Sequence, residues 1–309
     1  GDLYGYGTEV EYDSYFTIPI LIVLTEVDFY DCNITIVGQG FAFALASYLY
    51  LADVELVNSY INIRGYGESY FYGFYNIMFV TLTFTSTHVI LESYGDSYIP
   101  AFVHTRIPPC FYFVDDSTFI AIGYIPLGFN TLVGSYIEFT NSRAEGFGFA
   151  LYLQNNVTGI VQGSEFYNNT VGIHIGYALE GAAPRILIDS CIIKSRETGL
   201  EIYDSEYVTV TGCVIYPSVE WGLIIGNSKH ITVTDNTFIS TGVYIFGSEV
   251  EHFATHTITD DNLVNGLPLY YMVNENGTTA PSVVGQLIIV NSTNIRIRGG
   301  TIDKTRVGI

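Results

Sequence analysis

The 309-residue chain has little charge, and least of all positive charge. Charged residues make up 14% of it, well under the roughly one quarter of an ordinary soluble domain. Lys and Arg number 11 against 31 Asp and Glu, for a net charge of −20. A nucleic-acid binder needs a basic footprint to displace counterions, so that class is excluded. The same deficit argues against anionic membrane surfaces and acidic polysaccharides as partners. Cysteine is scarce, at four, with no Cys-x-x-Cys pair, which excludes a zinc-ribbon framework. The apolar run Ile18–Leu24 is too short to span a bilayer and has acidic neighbours, so no membrane insertion is expected. The short apolar segments lie too close together for βαβ units, whose helices need about 10–15 residues between strands.

What the chain does hold is apolar and aromatic: 49% hydrophobic residues, with 26 Tyr and 20 Phe. Such side chains suit strands. An aromatic outer face follows, which either decorates a β-rich surface or meets other subunits, where aromatics are enriched.

The organising stretch is 185–250, three lines of one repeat. Each opens on an alternating strand (Ile186 and Ile188; Val208 and Val210; Ile231 and Val233) and passes a turn pair (Ser190-Cys191, Gly212-Cys213, Asp235-Asn236). A second apolar pair follows (Ile192-Ile193, Val214-Ile215, Phe238-Ile239). Then comes Gly-apolar-any-apolar (Gly199–Ile202, Gly222–Ile225, Gly242–Ile245), and a polar bend carrying Ser205, Ser228 or Ser248 closes the line. One line cannot bury itself, but stacked lines can, so a repeat of about 22 residues with three short strands reads as a solenoid, a parallel β-helix of about a dozen coils. Residues 32–309 form this all-β helix, clearest over 136–250. Residues 1–31 are read as an N-terminal cap or a docking strand, with Gly1 the start of a processed chain.

Upstream, Ile34-Thr35-Ile36, Val54-Glu55-Leu56, Ile77-Met78-Phe79 and Ile137-Glu138-Phe139 read as one strand in successive coils. Tyr94–Ser97 and Ile107–Pro109 read as loops. Gly148-Phe149-Ala150-Leu151 is aligned with Gly172-Ile173-His174-Ile175. Downstream, Ile295–Ile297 and Thr301-Ile302 begin another coil that breaks off at Gly308-Ile309. An unfinished coil exposes a strand edge. Either the polypeptide continues or a neighbour covers that edge.

Candidate sites are few. Sequons at Asn33, Asn156, Asn168, Asn276 and Asn291 point to N-linked glycans and a secreted, cell-surface protein. Cys191 and Cys213 lie one coil apart at the same position, as a disulfide or as two buried thiols. Cys32 and Cys110 have no assignable partner. Asp115-Asp116, Asp260-Asp261 and Asp235 read as solvated turn residues, because neighbours on a strand face opposite ways and a glycosidase needs two converging carboxyls. His252 and His256 are too far apart on a strand to share an ion. Arg296 and Arg298 read as an outward-facing pair. No catalytic residue, cofactor or metal ligand is assigned.

The pattern φ-x-φ-x-small-Asn/Cys-x-φ…Gly-φ-x-φ-x-x-Ser over 136–250, and Asn265-Gly266-Leu267-Pro268-Leu269-Tyr270-Tyr271 followed by residues 286–294, resemble the right-handed β-helix repeat family. That family includes NosD-like periplasmic proteins and carbohydrate-binding and sugar-hydrolase repeat domains, and the likeness is to archaeal cell-surface members. The resemblance implies right-handed coiling. The Gly-His-Gly and Arg-x-Lys motifs of its polygalacturonase-like enzymes are absent. The expected function is structural and non-enzymatic: a subunit whose partner is itself, joining end to end into an extracellular filament or layer. The docking strand with Ile18, Ile20, Ile22 and Leu24 would meet the open coil near Ile302 and Ile309. Glycan binding or cleavage is the first alternative. NosD-type copper handling is the second.

Overall fold

A computed structural model describes residues 21–23, 26–46, 48–95, 101–107, 109–131, 134–154, 156–176, 185–216 and 220–299. The chain winds as a parallel β-helix with three strands per coil. Ten first strands, from Glu26–Tyr30 to Thr257–Ile258, stack into one parallel sheet. Ile188, Val210 and Val233 are in register along it and wholly buried. The coils are longer than the clearest repeats suggest. Corner-to-corner hydrogen bonds span 22 residues at Ser142–Ser164 and 30 at Thr87–Ser117, and the described residues form ten rungs where a dozen were expected of the whole chain. The ladder already includes Glu26–Tyr30, which pairs with Asp53–Val57.

The second and third strands of the coils belong to one continuous sheet, because the long strands Asn33–Ala46 and Tyr60–Met78 run through both faces without a corner. In the next coil, His88–Tyr94 and Ala101–Ile107 are separate strands, ending where the sequence placed loops. The upstream register differs from expectation. Val54-Leu56 and Ile137-Phe139 do share a column, reached through Leu82-Phe84 and Tyr112-Val114. Ile34 and Ile77 lie in the other sheet. All three strands of a coil alternate with period two, so alternation alone does not say which strand is which.

The corner between first and second strands repeats one device. A residue with left-handed backbone (Asp31, Asn58, Ser86, Asp116, Asn141, Ser190, Gly212, Asp235) precedes a small side chain that points inward. Where it is Ser or Asn, that side chain caps the backbone N–H of its counterpart one coil away. Ser117 Oγ accepts from Thr87 N at 3.0 Å, Ser142 Oγ from Ser117 N at 3.0 Å, and Ser164 Oγ from Ser142 N at 3.1 Å. Asn236 Oδ1 accepts from Cys213 N at 2.9 Å and Asn262 Oδ1 from Asn236 N at 3.1 Å. Asn, Asp and Ser tolerate the left-handed region, which explains the turn pairs.

Inside, the N-terminal half is filled with phenylalanine: Phe84, Phe102, Phe119, Phe129 and Phe139 are fully buried, with neighbouring centroids 5.1–6.2 Å apart and mostly edge to face. The C-terminal half holds mainly Ile, Val and Leu, with Phe166 and Phe238 among them. Much of the phenylalanine therefore lies inside and not on the outer face.

The winding changes after Leu263–Val264. Asn265 and Gly266, both with positive φ, form a two-residue hairpin, and Leu267–Val273 returns antiparallel. Gln286–Val290 then pairs in parallel with it, at a shorter 17-residue step, around Ala280, Val284 and Leu287. Residues 267–299 thus continue the stack with a shorter step, one face packing on the main core through Leu269, Tyr271 and Ile288 and the other on Ala280, Val284 and Leu287. The Gln286 amide joins this segment to the coil before it, donating to Val243 O at 2.7 Å and accepting from Val243 N at 2.9 Å.

Asn236→Ala strands one buried N–H and the carbonyls of Val210 and Thr234. A loss of about 3 kcal/mol is expected in denaturant unfolding, with Asn236→Ser recovering part of it.

Candidate functional site

The third strand of each coil presents one outward column. Asn130, Tyr152, His174, Glu201, Ile224 and Tyr244 are consecutive in register, with His104 below Asn130. Beside it run Tyr203, Gly226 and Phe246, and on the other side Thr198 and Trp221. Outward positions on a solenoid normally face water, yet Asn130, His174 and Ile224 are 8%, 5% and 5% exposed.

Rings cause that burial. Tyr152 stacks on His174 (4.6 Å between centroids, 11° between planes), and Trp221 stacks on Tyr244 (4.4 Å, 12°). Phe246 joins Tyr203 and Tyr244 at 5.8 Å each, and Phe149 packs edge-on to Tyr152 and His174. Two glycines make room. A Cβ on Gly226 would lie 2.5 Å from Phe246 Cζ and 2.6 Å from Tyr203 Cδ1, and one on Gly176 would lie 2.8 Å from His174 Nε2. The result is a strip of half-buried aromatics across five rungs, about 20 Å at the strand spacing.

Polar groups sit within the strip. His174 Nδ1 donates to Glu201 Oε2 at 2.8 Å, with only 14% of the Glu201 side chain exposed. Asn130 Nδ2 donates to His104 Nδ1 at 3.0 Å, while Asn130 Oδ1 is buried without a hydrogen bond.

A match to the family of the right handed beta helix region covers residues 127–302, more than half of the chain and all of this strip. The chain belongs to that family. Its coils are therefore right-handed, and handedness sets the order in which the three faces follow around the axis. No curated protein matches. Similar solved structures include the periplasmic alginate epimerase AlgG (13% identity over 96% of this chain and 77% of that one, TM-score 0.40). The A-module of the Azotobacter vinelandii mannuronan C-5 epimerase AlgE4 is similar at 13% identity over 99% and 91% (0.42). The tailspike of E. coli bacteriophage HK620 is similar at 11% over 97% and 72% (0.39).

None of the strip residues was singled out in the sequence. His174, Glu201, Ile224 and Tyr244 occupy the "any" slot of Gly-apolar-any-apolar, a slot that periodicity treats as solvent, and Trp221, Tyr203 and Phe246 fall just outside that motif. The signal was there in His174, Glu201 and Tyr244, but the coil before them was misaligned by two. Leu151 pairs with Ile173 and Tyr152 with His174, so Ala150, not Gly148, holds the small-residue position.

The singled-out residues lie elsewhere. Asp115 accepts from Thr140 Oγ1 and Asn141 Nδ2, Asp116 from Ser86 Oγ, and Asp261 from Asp235 N and Thr259 Oγ1. These are corner carboxylates, and the Thr259 hydroxyl holds Asp261 below its ordinary value. Arg296 and Arg298 are exposed. Cys191 and Cys213 are buried free thiols on successive rungs, donating to Val161 O and Asp189 O, and to Ile188 O and Thr211 O. The Cys213 sulfur and burial push the Cys191 thiol far up. Asn33, Asn168, Asn276 and Asn291 are exposed; Asn156 is half-buried with Oδ1 inside. Ile22 lies on a strand paired with Tyr48–Tyr50, while Ile18, Ile20, Leu24, Ile302 and Ile309 lie outside the described residues.

His252 and His256 are not on a strand. Glu251–Ala254 is a helical turn, which brings His256 Nε2 within 2.8 Å of His252 O. Their Nδ1 atoms accept backbone N–H groups, from Ile231 for His256 and from Ser248 and Glu249 for His252. Three of the four ring nitrogens are thus committed to the backbone, and the fourth, His252 Nε2, faces Glu249 Oε2 at 3.9 Å. Burial, then the neighbouring His230 and His252, hold His256 below its usual value of 6.5 against the hydrogen bond to His252 O.

The neutral His256 ring is required by the fold, so its contribution is present above about pH 6.5 and is lost as pH falls through the depressed folded value. Thermal melts should show a Tm drop on acidification that is smaller in His256→Gln. Gly226→Ala should displace Tyr203 and Phe246, costing about 1–3 kcal/mol and altering the near-ultraviolet dichroism.

Proposed function

We propose that this protein binds glycans, with the third-strand strip from Asn130 to Phe246 as its binding face. The observation that carries the reading is the strip itself: contiguous half-buried aromatics interleaved with Glu201, Gln154 and Asn130. Sugar rings carry apolar C–H faces and hydroxyl rims. A surface that alternates aromatic bodies with hydrogen-bonding groups complements both. A run of about 20 Å suits a short oligosaccharide laid along the helix axis. A soluble protein that keeps such a strip at its surface is expected to use it in recognition.

Binding is favoured over hydrolysis. Glycosidases pair two carboxyls about 5–10 Å apart, whereas among the described residues of the strip Glu201 is the one carboxylate. The end-to-end filament has no comparable support, since most of its candidate contacts lie outside the described residues. The glycan reading carries with it a location outside the cell, where the four exposed sequons would hold N-linked sugars.

Trp221 is the only tryptophan in the chain and lies in the strip. Oligosaccharide binding should shift its fluorescence saturably. Tyr244→Ala should weaken binding about tenfold by calorimetry, by the usual worth of an aromatic contact. A panel of oligosaccharides that leaves Trp221 emission unchanged at millimolar concentration would refute the proposal.

A further inference from the structure

The polar groups of the strip also select the charge class of its ligand. Resting on the glycan reading, we infer that the strip takes uncharged, hydroxyl-donating glycans and rejects uronate polymers. Two acceptors stand without a partner. Asn130 Oδ1 is buried and unbonded, and Glu201 Oε1 is left over once Oε2 has taken the His174 proton. Of the donors beside them, His174 Nδ1–H is committed to Glu201 and one N–H of the Asn130 amide to His104. An unfilled acceptor, buried as at Asn130 or half-buried as at Glu201, asks for a hydroxyl or a water. A sugar hydroxyl supplies the donor; a carboxylate brings only more acceptors.

Charge points the same way. Among the described side chains of the strip there is no Lys or Arg. Arg196, at the corner that leads into Thr198–Tyr203, donates to Thr170 Oγ1. A uronate would meet the Glu201 carboxylate with no described cation to compensate, in a protein of net charge −20.

The test is a fluorescence titration of Trp221 in the full chain, at low salt and pH 8. Neutral gluco- and manno-oligosaccharides are compared with oligogalacturonates and oligomannuronates of equal length. Neutral sugars should bind, and uronates about tenfold or more weakly. Glu201→Gln should narrow that gap, because it removes the charge and keeps an acceptor. Asn130→Leu should weaken neutral binding several-fold and leave the gap unchanged, which supplies a second route if Glu201→Gln misfolds. Uronates binding as tightly as neutral sugars, or a gap that persists in folded Glu201→Gln, would overturn the charge selection while leaving the binding strip in place. Silence from every sugar would overturn the strip itself.

Discussion

Every coil must turn a corner inside a dry core, and a turn leaves backbone N–H groups that no strand pairs. A column of small side chains lines that corner, with Ser117, Ser142, Ser164, Asn236 and Asn262 each capping an N–H of the coil next to it and the thiols of Cys191 and Cys213 standing between Ser164 and Asn236. A buried N–H without a partner costs more than a single hydrogen bond contributes, so this column admits few residue types. It fixes where each coil begins. Once that is fixed, strand register follows, because slipping by one residue would turn the apolar side chains outward.

Fixed register has two consequences. Inward positions become continuous columns, filled by phenylalanine at one end and by aliphatic side chains at the other, with no change in strand pairing. Outward positions become columns too. A ring in one coil then lies about 4.8 Å from the equivalent side chain of the next, the distance at which aromatic rings stack. The Tyr152–His174 and Trp221–Tyr244 stacks, and the glycines beneath the neighbouring rings, are products of stacking and not of any one coil.

Much of the fold was legible. The lines over 185–250 carried strand, corner and bend in the order the structure shows, and Ile188, Val210 and Val233 stack as their spacing implied. The early coils were less legible, because Tyr60–Met78 runs through a corner that later coils make. The helical turn at Glu251–Ala254 was missed for a different reason: four residues show no helical period, and the surrounding repeat argued for a strand.

The sequence by itself determined the architecture, because burying alternate side chains and capping corners constrains residues a fixed number of positions apart, and such constraints leave a period. It also settled the charge balance, which is additive over residues. Only the tertiary structure decided which outward residues stand together. His104, Asn130, Tyr152, His174 and Glu201 come from five coils of unequal length, so no fixed spacing links them. Their meeting depends on where each insertion falls around the helix, and on a shared column that exists only once the coils are stacked.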